Sequence, residues 1–530
     1  MKLFKNKYFP PNLFQKELWG ISLSRPKIIL TIFFTIALVC SEQYLNYKSG
    51  YPGLHWDAAY YSSVVINVAN DRGWEFDSQA LCLVDKPSRE YTGHGFLDIL
   101  LHGKILRART WNQFLVQLAA VNTITYIVWI LTFILSCRLQ ITRGHVILFC
   151  SCAFIISFIT TQLQGRPEHL APLIISPASA VWLIYGGGIG FRVIWAITAG
   201  VLFCTSPLLG VLSGLCTIVF LGMELMDQPI VKRGVALACS GAISVIVAIF
   251  IVELASPWSF SEWIRGCSTR GTIAPNLTEF LFKFGRYSFI GLSITAPFWN
   301  WISLAALGAS IALLFRSGNY LFIAVFLLLC AMVIRTATDY GFASMMPIAI
   351  TLGIRKLLNN NMMLLIKSLF FFLLSLYVLA ALLSLHVSYS ALYSGYSKQN
   401  AMASIGELID DSDTVAFHGN TRPCWITILP GGSQCISIVP ATKGPQPRSD
   451  VFFNSLESQL GKPITLFFYP QTFRGTAPER IFFGSVPFRQ VYSNWTLERN
   501  RLLFLPLIGR RLGFNYAAYR RDTVDYKEIK

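Results

Sequence analysis

Residues 234–254 read GVALACSGAISVIVAIFIVEL, and Glu253, next to the end, is their single charged residue. A helix rises about 1.5 Å per residue, so such a run spans roughly the 30 Å of a bilayer's hydrocarbon core. A helix apolar on every side is either buried in a large core or set in lipid. Repetition along the chain decides between the two. Comparable runs lie near 28–44, 113–137, 145–162, 170–188, 192–207, 208–226, 289–314, 319–335, 341–356 and 363–386, which makes eleven expected helices. Only Pro207 and Gly210 separate the 192–207 and 208–226 runs. Over 530 residues the chain is 54% hydrophobic and 13% charged, with a mean hydropathy of +0.52. An ordinary soluble domain is about 25% charged. The expected fold class is a polytopic α-helical membrane protein.

Loop charge sets the expected orientation. With the N-terminus inside, the inner hairpins carry Arg138, Arg143, Arg192, Lys232, Arg233, Arg316, Arg355, Lys356 and Lys367. The short outer hairpins carry only Arg166 and Arg335, so the bias is positive-inside. Lys104, Arg107 and Arg109 are exceptions at the end of a long loop, where the rule weakens. The first run follows a basic tail and lacks a small-residue cleavage site, so it reads as a signal anchor.

Three stretches are too polar to span, and this orientation puts all of them outside: 45–112, 255–288 and everything after 386. In the first, WDAAYYSSVVINVAN and GFLDILLHGKILRA space their apolar residues as amphipathic surface helices do. After Tyr389 the texture becomes that of a soluble α/β domain. TVAFHG, CISIV and ITLFFYP read as buried strands and VFFNSLESQL as a helix between two of them. The expected domains are therefore 1–386, membrane-embedded, and 387–530, extracytoplasmic. The terminal RNRLLFLPLIGRRLGFNYAAYRR reads as an arginine-rich apolar patch resting on anionic headgroups.

A formal net charge of +17 invites a nucleic-acid reading, but the basic residues are dispersed and no nucleic-acid-binding motif accompanies them. Topology, anionic lipid or a phosphorylated substrate fits better. Twelve cysteines form no CxxC pair and no cysteine/histidine cluster with metal spacing. Most sit in apolar runs as small buried hydrophobes. Cys424 and Cys435 are placed to close a short loop should their region face an oxidising compartment.

The chemistry-bearing residues lie on the outer side. Asp57 stands in HWDAAYY, residues 55–61, within a helical turn of Tyr60 and Tyr61, and beside His55. On spacing alone it also fits an N-cap, stabilised by free amides and the helix dipole. Asp85 and Lys86 stand in DKPS, residues 85–88, and Glu168 in GRPEHL, residues 165–170, where a capping acid is the plainer reading. An acid in the first outer loop, two surface helices, many spans and an outer C-terminal domain resemble the GT-C glycosyltransferases. HWDAAYY is similar to that superfamily's first-loop acidic motif. DKPS resembles the acid-Lys-Pro-Pro segment of the aminoarabinose and protein-mannosyl transferase branch, with Ser88 at the second proline. GRPEHL resembles an Arg-Pro-Glu element at the start of a span. GHGFLDI, with His94, stands where the branch has a His-Pro-Pro-like stretch.

The resemblance implies transfer of a sugar from a polyprenyl-phosphate carrier to an extracytoplasmic acceptor: a surface polysaccharide, a lipid-linked glycan such as O-antigen or lipid A, or a protein hydroxyl. The transition state has oxocarbenium character and needs a base for the acceptor hydroxyl and cations for the departing phosphate. Asp57 is the candidate base, with inversion, and Asp85 the second acid. Lys86 is the candidate phosphate holder, with Arg166, Arg265, Arg270, Arg286 and Arg335 as alternates. His55, Tyr60, Tyr61, His94, Glu168, Asp339 and Tyr340 are candidates for sugar or acceptor. No cofactor is required. Oligosaccharyl-type relatives use a divalent metal, but here no carboxylates cluster in the motifs beyond Asp57 and Asp85. The expected location is a bacterial inner membrane, with the site and C-terminal domain periplasmic. Rival classes are a secondary transporter, disfavoured by spans almost free of acids away from their ends, and a noncatalytic assembly or export scaffold.

Overall fold

The structure, a computed structural model, describes residues 25–49, 58–75, 91, 95–136, 166–185, 188–207, 209–210, 213–214, 217 and 228–268, then 389, 404, 406–418, 434–438, 454, 457–458, 461–470, 478–483, 485–493 and 516–522. The helical part contains α1 (Arg25–Ser49), α2 (Ala58–Ala69), a turn of α3 (Leu97–Ile99) running into a π-helix (Leu100–Ile105), and α4 (Trp111–Ser136). A 3₁₀ turn (Pro167–Leu170) leads into α5 (Ala171–Tyr185), followed by α6 (Ile189–Thr205), α7 (Ile230–Ala255) and α8 (Phe260–Ser268). Five expected spans fall on α1, α4, α5, α6 and α7. Those at 145–162, 289–314, 319–335, 341–356 and 363–386 lie outside the described residues, as does most of 208–226.

Among the described helices α7 alone has the length and composition to cross a membrane, with a mean hydropathy of 2.7 over a window of which 17% is buried. Val235, Val245, Ile246, Phe250 and Leu254 stay exposed along it. Shorter apolar helices lie at Ile32–Leu45, Gln113–Trp129 and Ile189–Thr205.

Sequence explains how α6 and α7 meet. Ala196, Gly200 and Cys204 recur every four residues on α6 and face Ser240, Ser244 and Ala248 on α7. A Cβ on Gly200 would lie 2.6 Å from the Ser244 carbonyl oxygen, so only glycine permits this approach, and Ser244 Oγ donates to Ala196 O at 2.8 Å. Small residues on both helices let the two backbones come this close. The helix ends at Ser206, whose backbone is extended (φ −159°, ψ 126°). Pro207 follows, and its ring disfavours the α conformation of the residue before it.

Two capping boxes fix helix starts. Thr110 Oγ1 accepts from Gln113 N at 3.3 Å while Gln113 Oε1 accepts from Arg109 N and Thr110 N, opening α4. Ser259 Oγ accepts from Glu262 N and Glu262 Oε2 from Ser259 N at 2.9 Å, opening α8. Trp263, fully buried, then pins α8 against Phe96 and Phe203, with ring centroids 5.9 and 5.1 Å away. Thus the expected outer segment after 254 packs on the first outer loop. Tyr91 adds to this core beside Tyr61 and Trp258. The α2 stretch, expected to lie along a membrane surface, is buried from Tyr61 to Val65.

In the C-terminal region β1 (Thr414–His418), β2 (Gln434–Ile438), β3 (Leu466–Pro470), β4 (Arg480–Phe483), β5 (Val486–Ser493) and β6 (Tyr516–Arg521) form one sheet in the order β2-β1-β3-β6-β5-β4. β1 pairs in parallel with β2 and β3, and the remaining ladders are antiparallel. The first three are the strands expected from the sequence, and Asn454, Glu457 and Ser458 are helical within the expected helix. One reading is corrected. Tyr516–Arg521, taken as part of a headgroup-resting tail, is an interior strand whose Ala518 and Tyr519 are fully buried between β3 and β5. Its half-buried Arg520 reaches the buried Asp413, donating to both of its oxygens at 3.1 and 3.3 Å, while Thr465 Oγ1 donates to Asp413 at 2.7 Å.

Candidate functional site: a buried histidine–carboxylate cluster beside an arginine pair

The site is assembled by one close backbone crossing. Gly95 and Phe96 pass over the C-terminal end of α6, where a Cβ on Gly95 would lie 1.5 Å from the Thr205 carbonyl oxygen. Phe96 N donates to Cys204 O at 3.0 Å, satisfying a helix-end carbonyl that has no partner within its own helix. Tyr91 Oη donates to Gly95 O at 2.7 Å and holds the approach. From there the chain enters α3 and the π-helix, whose wider turn is marked by Leu106 N donating to Leu101 O at 2.8 Å. Gly103 lets this turn lie on α2, since a Cβ there would sit 3.0 Å from Val65 O.

Asp98 and His102, four residues apart, consequently share one face. His169, from the 3₁₀ turn before α5, meets them. His169 Nε2 lies 3.0 Å from Asp98 Oδ1 and His102 Nε2 lies 3.4 Å from the same oxygen, and all three side chains are fully buried. His102 Nδ1 is 3.3 Å from Gln117 Oε1 on α4. Three atoms have no hydrogen-bond partner: Asp98 Oδ2, His102 Nε2 and His169 Nδ1. Burial pushes the Asp98 carboxyl up to about 7, with the charge of Glu168 adding to the rise. Burial also pushes His102 down to about 4, against the Gln117 hydrogen bond. It takes His169 down to about 3, with His102 adding. Near neutral pH both rings are therefore neutral, and Asp98 is the group poised between its two states.

The same turn carries an arginine–carboxylate pair. Arg166 Nε and Nη2 donate to Glu168 Oε2 and Oε1 at 3.0 and 3.4 Å, and Ser206 Oγ donates to Glu168 Oε1 at 2.9 Å. Both charged side chains are almost wholly buried. The Arg166 guanidinium stands 5.5 Å from the centre of the Tyr61 ring, a cation–π contact. Pro167 at the first position of the turn fixes its entry.

Of the residues singled out from sequence, Tyr61, Arg166 and Glu168 are brought together. Glu168 is paired with an arginine and a serine. Arg265 is exposed at the last turn of α8. His55, Asp57, Asp85, Lys86, His94, Arg270, Arg286, Arg335, Asp339 and Tyr340 lie outside the described residues, as does the Tyr60 side chain. Sequence reasoning missed Asp98, His102 and His169. Their signals were present: an acid and a histidine at i and i+4 in LDILLH, and the histidine of GRPEHL. No family model, curated protein or solved structure matches this chain.

Proposed function

We propose that the chain is an integral membrane glycosyltransferase of the GT-C kind, moving a sugar from a polyprenyl-phosphate carrier to an acceptor on the outer face of a bacterial inner membrane. The supporting observation is the contact of Arg166 with Tyr61. Two motifs a hundred residues apart meet there, one carrying Asp57 four positions before Tyr61, the other carrying a cation already fixed by Glu168. A phosphate there would meet the guanidinium's Nη end, since its Nε–Nη2 edge is held by Glu168. The bare apolar flank of α7 is what lipid contact requires.

In this reading the acceptor oxygen attacks the anomeric carbon from the face opposite the carrier and inverts it. The bond from that carbon to phosphate oxygen breaks with its electron pair leaving on the phosphate, and the acceptor's proton passes to Asp57. Lys86, with Arg166, Arg265, Arg270 or Arg335, holds the leaving phosphate. Asp85 orients Lys86 or binds sugar, and His55, Tyr60, Tyr61, His94, Glu168, Asp339 and Tyr340 contact sugar or acceptor.

The test is transfer of label from a polyprenyl-phosphate sugar in vesicles carrying the full chain. Asp57→Asn should lower turnover by about 10²–10⁴-fold, the usual share of a general base. Full activity in that variant removes Asp57 as base. Solute uptake by the reconstituted protein without transfer would favour a transporter instead.

A further inference from the structure

We propose that Asp98, His102 and His169 form a buried zinc site that ties the first outer loop to the start of α5. This inference does not depend on the glycosyltransferase reading. One carboxylate and two imidazoles are a donor set suited to zinc, and ligand atoms from all three lie within 4.8 Å of one another. The two separations from Asp98 Oδ1, 3.0 and 3.4 Å, bracket the roughly 3.3 Å edge of a tetrahedron with metal–nitrogen bonds of about 2.0–2.1 Å.

A second observation points to a missing cation. Gln117 Nε2 donates to Leu106 O at 2.9 Å, which fixes the amide so that Oε1 faces His102 Nδ1. An amide oxygen only accepts, so Nδ1 carries the proton and Nε2 presents its lone pair. With Asp98 ionised, that lone pair meets a carboxylate oxygen 3.4 Å away, two acceptors side by side with no water-exposed surface. A divalent ion between them turns the opposition into two bonds. Gln117 then acts as the outer partner that orients a ligating histidine. Asp98 Oδ2 and His102 Nε2, both buried and without partners, are atoms such an ion would use. Since the ligands are fully buried, the role is structural, with a remaining position for Asp98 Oδ2 or a single water.

The experiment uses tag-free full-length protein in detergent, stripped with a chelator and titrated with cobalt(II), then with zinc. Expected are the visible d–d bands of low-coordinate cobalt saturating at one ion per chain, bleaching on zinc addition, and zinc in the protein as isolated. Asp98→Asn and His169→Gln should abolish the bands. Gln117→Leu keeps every ligand and should weaken cobalt binding about 10–100-fold, the usual effect of removing an outer partner. A folded wild-type protein that shows only the spectrum of free aqueous cobalt overturns the site. So does binding that Gln117→Leu and Asp98→Asn both leave unchanged. Sugar transfer is not read at any step, so the outcome stands apart from that of the Asp57 test.

Discussion

Replacing Gly95 by alanine tests the crossing on which the cluster depends. The added Cβ would lie 1.5 Å from the Thr205 carbonyl oxygen, 2.3 Å from its carbon and 2.9 Å from Ser206 N, all backbone atoms without rotamers to yield. Ordinary contact begins near 3.4 Å, so the segments must part by about 1.9 Å. That breaks the 3.0 Å bond from Phe96 N to Cys204 O and strains the one from Tyr91 Oη to Gly95 O. One hydrogen bond lost at about 1 kcal/mol, up to about 1 kcal/mol from the strained one, and about 1–3 kcal/mol of overpacking give a loss of about 2–5 kcal/mol. Unfolding in mixed micelles, followed by tryptophan fluorescence, reads the loss. Hydrogen exchange of 91–106 reads its location. Gly190, in α6 with nothing within 4 Å of its Cβ position, is the control, and Gly190→Ala should be neutral or gain up to about 1 kcal/mol. A Gly95→Ala protein as stable as Gly190→Ala, with unchanged exchange over 91–106, would refute the crossing.

Other substitutions probe the surrounding packing. Trp263→Ala removes the largest fully buried side chain among the described residues, which joins α8 to Phe96 and Phe203, and should destabilise by about 3–5 kcal/mol in the same unfolding assay. Ser259→Ala should lose about 1 kcal/mol of α8 stability and speed exchange of its first turn. The hydrogen bonds from Ser259 hold the Glu262 carboxyl below its ordinary 4.5. Its contribution is therefore complete above that value and fades as pH falls through the lowered one, a fading that Glu262→Gln should abolish when exchange of 260–268 is followed with pH. In the sheet region Asp413→Ala leaves Arg520 and Thr465 without their shared acceptor. It should destabilise by about 2–3 kcal/mol, whereas Asp411→Ala, on an exposed turn, should change little.

What the sequence made legible was local. Apolar period and length gave α1, α4, α6 and α7, and β-branched and aromatic runs gave β1 and β3, while the equally local helix starts at Thr110 with Gln113 and at Ser259 with Glu262 went unread. Pairings between distant segments were not legible. His169 meets Asp98 across 71 positions, and no pattern near either residue encodes the other. β6 was misjudged because YAAYRR has few large apolar residues and ends in two arginines. Its burial comes from being flanked by β3 and β5, and the charge of Arg520 is met by Asp413, 107 positions back in sequence and unreadable from YAAYRR itself. Glu168 followed a proline before an apolar run and so read as a cap, but its carboxylate is taken by Arg166 and Ser206, 38 positions on.

The four residues from Arg166 to His169 join both halves of the site through a single turn, and their charges are coupled. Glu168 is neutralised by Arg166, yet its charge still raises Asp98. In the proposed reading, a phosphate that draws Arg166 toward itself leaves Glu168 less compensated. The potential at Asp98 then becomes more negative, and a cation there is held more tightly. Binding free energies are reciprocal, so an ion on the histidine side would in turn strengthen the phosphate's hold on the arginine side. Pro167 fixes the turn's first dihedral and Ser206 anchors Glu168 to the end of α6. Coupling of that kind needs no large motion, only the exchange of one buried ion-pair partner for another.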